Sequence, residues 1–149
     1  MKNSQYKPLK LSALDTEDLQ TFASCLQDAL VPIAGMTYDE DKGHFYLVVN
    51  RFCWECHPEQ HEGEDVHQRV SCGVHINHVK DVQKKGFDPN HEDGFMNLLT
   101  IHNQKDGCVS LVFSGGGEVE LKVQKLKCLL KDIDEPYPTK HKPHHPVAD

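Results

Sequence analysis

The sequence predicts an α+β domain: an N-terminal helix, a curved antiparallel sheet of about six strands and a C-terminal amphipathic helix, together a pleckstrin-homology-like roll or barrel. Three observations carry this. Leu19, Phe22, Ala23, Leu26, Ala29 and Leu30 recur at helical spacing near the start. Leu126, Leu129, Leu130 and Ile133 do the same near the end. Between the two stripes lie runs of alternating apolar residues, separated by clusters of Gly, Asp and Asn that favour turns.

The first helix is expected from Thr16 to Leu30, with Asp15 as N-cap, Asp18 in a capping-box position and Glu17 adding favourable charge to the first turn. Pro32 blocks its continuation. Ile33 to Tyr38 reads as a short strand, Asp39 to Gly43 as a turn, and His44 to Trp54 as the central strand. In that strand Phe45, Leu47 and Val49 share one face and Tyr46, Val48 and Phe52 the other, so both faces are apolar.

Residues 57 to 67 read as an acidic, His-rich loop, and Arg69 to Val79 as a strand with Val70, Cys72, Val74 and Ile76 inward. Gln83 to Gly94 reads as a connection. Phe95 to His102, Cys108 to Phe113 and Glu118 to Val123 follow as strands, the last two joined by the glycines at 115 to 117. Those glycines lead into a strand rather than a helix, which makes them a turn and not a phosphate loop. The second helical stripe stops before Pro136. The chain is thus expected to hold one domain over residues 1–135 and a Pro/His-rich, extended or disordered tail over 136–149.

The 149 residues, 38% hydrophobic and 26% charged, suit one globular domain. A formal charge of -7 argues against nucleic acid as a partner, because phosphate neutralisation needs concentrated Lys and Arg. No stretch resembles a signal peptide or a membrane span, so a cytoplasmic location without membrane attachment is expected, with the six cysteines as reduced thiols.

Several of these runs resemble domain-of-unknown-function family 2948, a group of uncharacterised, mainly alphaproteobacterial proteins. The matching stretches are Leu9-Lys10-Leu11 with Asp15, Glu17, Asp18 and Leu19, then Leu26-Gln27-Asp28-Ala29, Asn50-Arg51-Phe52 with Trp54-Glu55, and Val112-Phe113-Ser114-Gly115-Gly116-Gly117. The resemblance spans nearly the whole chain. It implies a small bacterial protein and brings no activity, substrate or catalytic residues with it.

Chemistry can be sought in three places. Arg51, Trp54 and Glu55 mix polar reach with the one tryptophan at a strand end, a suitable binding surface for a protein or small ligand. The packing alternative is that Trp54 closes the core and Arg51 pairs with Glu55 or Asp28. Cys53, Cys56, His57 and His61 form a zinc-type donor set, provided the strand ends by Trp54 so that both thiols can reach one ion. Cys53-Trp54-Glu55-Cys56-His57 also matches the haem-attachment pattern, but without an export signal haem is not expected. A thiol- or His-dependent enzyme would need Cys53, Cys56, Cys72 or Cys108 to meet a histidine, and no local pattern specifies that meeting. The favoured reading is a non-enzymatic binding or interaction domain, monomer or dimer, with no cofactor. Zinc at the Cys53/Cys56 locus and a small enzyme are the alternatives.

Overall fold

The structure, a computed structural model, describes residues 6–56, 59–61, 64–87, 94–104 and 107–139. Among these residues it contains β1 (Lys10–Ala13), α1 (Thr16–Leu26), β2 (Ala29–Pro32), β3 (Met36–Asp39), β4 (His44–Phe52), β5 (Glu59–His61), β6 (Glu64–Ile76), β7 (Val79–Lys85), β8 (Phe95–Gln104), β9 (Cys108–Phe113), β10 (Glu118–Val123), β11 (Cys128–Asp132) and β12 (Tyr137–Thr139).

The start of α1 follows from local chemistry. Asp15 Oδ1 accepts from the Asp18 N–H at 2.8 Å, and Asp18 Oδ2 accepts from the Leu14 N–H at 3.0 Å. This is a reciprocal capping box with aspartate in place of the usual glutamate. Leu19, Phe22 and Leu26 face the core. The helix ends there, short of the expected Leu30, because Asp28 takes φ 63° and residues 29–32 become β2. Ala29 pairs with Leu98 and Val31 with Met96, while Leu30 pairs with Asn50. Those ladder bonds tie two distant segments and outweigh the local helical spacing.

The main sheet runs β1-β11-β6-β4-β2-β8-β9-β10-β7, with β3 also on β4 and β12 also on β6. Every pairing is antiparallel. β6 and β7 are separated only by Asn77 and His78, the latter at φ 58°, so a strand in the middle of this order bends and becomes its far end. The sheet therefore curls round a core. Tyr38 Oη donates to the Val79 carbonyl at 3.1 Å and the Val79 N–H to the Gly43 carbonyl at 2.8 Å, fastening the β3–β4 turn to the start of β7.

The core is built by period-two alternation: Phe45, Leu47 and Val49 from β4, Val70, Cys72, Val74 and Ile76 from β6, and Cys128 and Leu130 from β11 are all buried. α1 lies against β8, β1 and β4 and adds its apolar stripe.

This architecture overturns the α+β, pleckstrin-homology-like expectation: the fold is mostly antiparallel sheet with one short helix, and no C-terminal helix occurs among the described residues. The expected C-terminal helix is β11. Cys128-Leu129-Leu130 is too short an apolar run to distinguish the two periods, and pairing with β1 and β6 selects the strand. Part of the expected 83–94 connection is β7, and of the expected 57–67 loop residues 59–61 are β5 and 64–67 begin β6, paired as a hairpin. Tyr137–Thr139, in the expected tail, pairs with β6, while residues 140–149 lie outside the described residues. The glycines at 115 and 116 form the turn between β9 and β10, with φ 79° and 91°.

Candidate functional site

The alternation that places Phe45, Leu47 and Val49 in the core also points Arg51 inward, where it is 1% exposed. A buried guanidinium has five N–H groups to satisfy. Nε and Nη2 donate to Oδ1 and Oδ2 of Asp132, each at 2.9 Å. Nη1 and Nη2 donate to Oε1 and Oε2 of Glu55 at 3.0 and 2.8 Å, and Nη1 also donates to the Phe52 carbonyl at 3.4 Å. Two forked carboxylate pairs thus occupy the cation. Asp132, the inward residue at the end of β11, also accepts from Tyr6 Oη at 2.7 Å and from the Leu9 N–H at 2.8 Å.

The electrostatics follow. Burial works to raise the Asp132 carboxyl, but bonds from Arg51, the Leu9 N–H and Tyr6 outweigh it and hold it below the usual carboxylate range. Burial works to lower Arg51, and its bonds to Asp132 and Glu55 hold it more firmly protonated than usual. Burial, then the bond to Asp132, raises the Tyr6 phenol. Because the folded carboxyl titrates below its ordinary value of 3.8, its stabilisation is complete above that pH and is lost as pH falls through the folded value. Asp132→Asn should therefore flatten the acid limb of the stability profile below about pH 4, measured as urea midpoints at successive pH values.

Of the expected binding trio, Arg51 and Glu55 are together and Trp54 is beside them but turned outward. Trp54 is 42% exposed and packs on Phe52 with ring centroids 4.4 Å apart, so it does not close the core. Asp28 is not the partner of Arg51. It lies near Arg69, which donates to its carbonyl at 3.5 Å.

Cys53 and Cys56 are joined by a disulfide, where free thiols were expected. A turn in which the Cys56 N–H donates to the Cys53 carbonyl at 3.3 Å brings their Cα atoms to 5.4 Å, within bridging reach. Glu55 belongs to this turn. With the sulfurs bonded to each other, neither is a thiolate ligand in this form. His57 and the side chain of His61 lie outside the described residues. Among the described residues, no three His, Cys, Asp or Glu side chains are arranged to hold a metal ion. Burial, with the charge of Asp132, pushes the Cys72 thiol up to about 12, and burial alone does the same for Cys128. Burial thus disfavours the thiolate, the nucleophilic form, at both positions. Cys108 is partly buried.

Sequence reasoning missed a second site on the outer face of β4, β6 and β11. A groove of about 400 Å³ lies there, lined by Tyr46, Val48, Gly73, His75, Leu129 and Ile133 among others. Val48 stands opposite Gly73 in the β4–β6 register, so the middle of the face has a side chain on one strand and none on the next. Ile133 is 53% exposed and Val48 42%, beside a partly buried Leu129. At one end Tyr46 stacks on His75 with centroids 4.4 Å apart, and its hydroxyl lies 2.8 Å from His44 Nδ1. Burial, with His44 and Lys127 nearby, lowers the His75 imidazole below its ordinary range, which favours its neutral form. The signal available in the sequence was Gly73 itself, since glycine inside a strand marks a bend or a close approach.

Among the described residues no helix is long and apolar enough to cross a membrane. No curated protein and no solved structure matches the chain. A family model described as "Protein of unknown function (DUF2948)" matches residues 9–145, nearly the whole length. That extent takes in β1 through β12, including the Arg51 cluster and the outer groove, and on it the chain belongs to the DUF2948 family.

Proposed function

We propose that this is a non-enzymatic binding domain that seats a small apolar molecule in the outer groove over Gly73. The observation that carries the reading is a solvent-open apolar hollow of about 400 Å³ on a strand face, inside the size range of small-molecule sites. The Arg51 cluster supports the seat rather than forming it. All five of its donors are directed at Asp132, Glu55 and Phe52, which leaves none for a ligand.

Gly73→Leu tests this cleanly. Gly73 has an ordinary φ, and an added Cβ would meet Ile133 Cγ2 at 3.7 Å and the Lys131 carbonyl at 3.9 Å, both normal contacts. The variant should fold at least as well as the parent, because a side chain in a strand interior replaces a glycine. Its longer side chain fills the floor. Titration with the neutral dye Nile red should give saturable binding to the parent and a loss of about tenfold or more in Gly73→Leu. Equal binding by both would sink the proposal.

A further inference from the structure

Resting on that reading, we infer that the ligand is a single-chain amphiphile with an anionic head, such as a medium-chain carboxylate, whose head is held by Lys10 and Lys131. The strand register places four residues in one row across the outer face. Lys10 is opposite Lys131, Lys131 opposite Gly73, and Gly73 opposite Val48. Both lysines line the groove.

Like charges directly opposed on antiparallel strands repel, and such a pair is ordinarily relieved by a neighbouring acid. Acids are plentiful here, 23 against 16 Lys and Arg. Yet among the described residues neither Lys10 nor Lys131 makes an ion pair, whereas Lys85 pairs with Glu120. A chain of net charge -7 therefore keeps two directly opposed lysines without an ion pair at its apolar hollow. An anion seated between them would relieve the repulsion and gain two charge-assisted hydrogen bonds.

Geometry fixes the rest of the ligand. From the Lys131 strand to the Val48 strand is two strand spacings, about 10 Å. A head at the lysines would send its tail over the bare Cα of Gly73 toward Val48, with Ile133 on one side and Leu129, His75 and Tyr46 on the other. That volume accepts one short chain. Lys10 and Lys131 stand at one end of the row instead of ringing the hollow, and as exposed side chains on its rim they suit a single amphiphile better than a lipid surface, where basic groups would surround the apolar contact.

Competition for the Nile red site tests this. Decanoate should displace the dye at about tenfold lower concentration than decan-1-ol at low ionic strength, and added salt should narrow that ratio. The double substitution Lys10→Gln/Lys131→Gln should bring the ratio to about one without weakening decan-1-ol, and should leave the melting temperature equal or higher because a repulsion is removed. Equal displacement by acid and alcohol in the parent would overturn the anionic head while leaving the groove as a binding site. Failure of Nile red and both competitors to bind would overturn the groove and the inference together. Binding only to anionic phosphatidylglycerol vesicles, with none to monomeric decanoate, would overturn it in favour of a membrane surface.

Discussion

Arg51→Met should cost about 3–5 kcal/mol of folding stability, the usual penalty for removing one partner of a buried ion pair. Methionine keeps much of the apolar length, so the loss is mainly electrostatic. Asp132, whose side chain is 0% exposed in its ion pair, would retain Tyr6 and the Leu9 N–H but lose the cation. Against a typical total of about 5–15 kcal/mol this is a large fraction, worth roughly 6–20 °C in melting temperature. The pH dependence identifies the cause. Without Arg51, burial would push the Asp132 carboxyl upward, so protonation would favour the folded variant. The gap between parent and variant should then shrink as pH falls from about 7 to 5. Glu55→Gln should cost under about 1 kcal/mol, because Glu55 is 41% exposed and water can replace it. Chemical denaturation at both pH values measures all of this. A loss below about 1 kcal/mol for Arg51→Met would show that the cluster does not hold the fold together.

Gly86→Ala should be nearly as damaging although the residue is exposed. Gly86 has φ +74°, a conformation that costs a residue with a Cβ about 1–3 kcal/mol. An added Cβ would also run into the carbonyl of Gly116, with the Gly117 Cα 3.3 Å away. These atoms are backbone and cannot swing aside, so a further cost of about 1–3 kcal/mol is expected. The strain falls where β7 leaves β10 beside the β9–β10 turn. Amide exchange should accordingly rise first in β7 and β10 and leave β4 and β6 protected. Gly115→Ala is the control. It also has positive φ, at +79°, but its Cβ would meet nothing within 4 Å, so only the conformational cost applies.

The readable parts of the fold were those written in adjacent residues. Asp15 and Asp18 announce the start of α1, and the alternation from Phe45 to Val49 announces β4, because capping and period two are local properties. β1, β11 and β12 were missed for the converse reason. Lys10-Leu11-Ser12-Ala13 is too short and too polar to signal a strand, and Pro138 argues against one. Each of the three is a strand because a distant segment pairs with it. The sites divide similarly. Glu55 stands four residues from Arg51 and was visible as its partner, whereas Asp132, 81 residues away, was not. Lys10 and Lys131 are unremarkable cations until the β1–β11 register sets them face to face.

Among the described residues, β1 has a single sheet neighbour, and that neighbour is β11. A chain made from its amino end produces the first of these strands long before the second. At about 5–20 residues per second, the wait is on the order of ten seconds. Throughout it, the backbone of residues 10–13 has no ladder to join, and the Tyr6 hydroxyl and Leu9 N–H have no Asp132 to meet. The interior cation is likewise incomplete until synthesis reaches residue 132, since Glu55 is the one carboxylate bonded to Arg51 before then. Ribosome-bound chains halted before β11 should therefore stay sensitive to protease at residues 6–14, and the emergence of β11 should lock the opening segment in place.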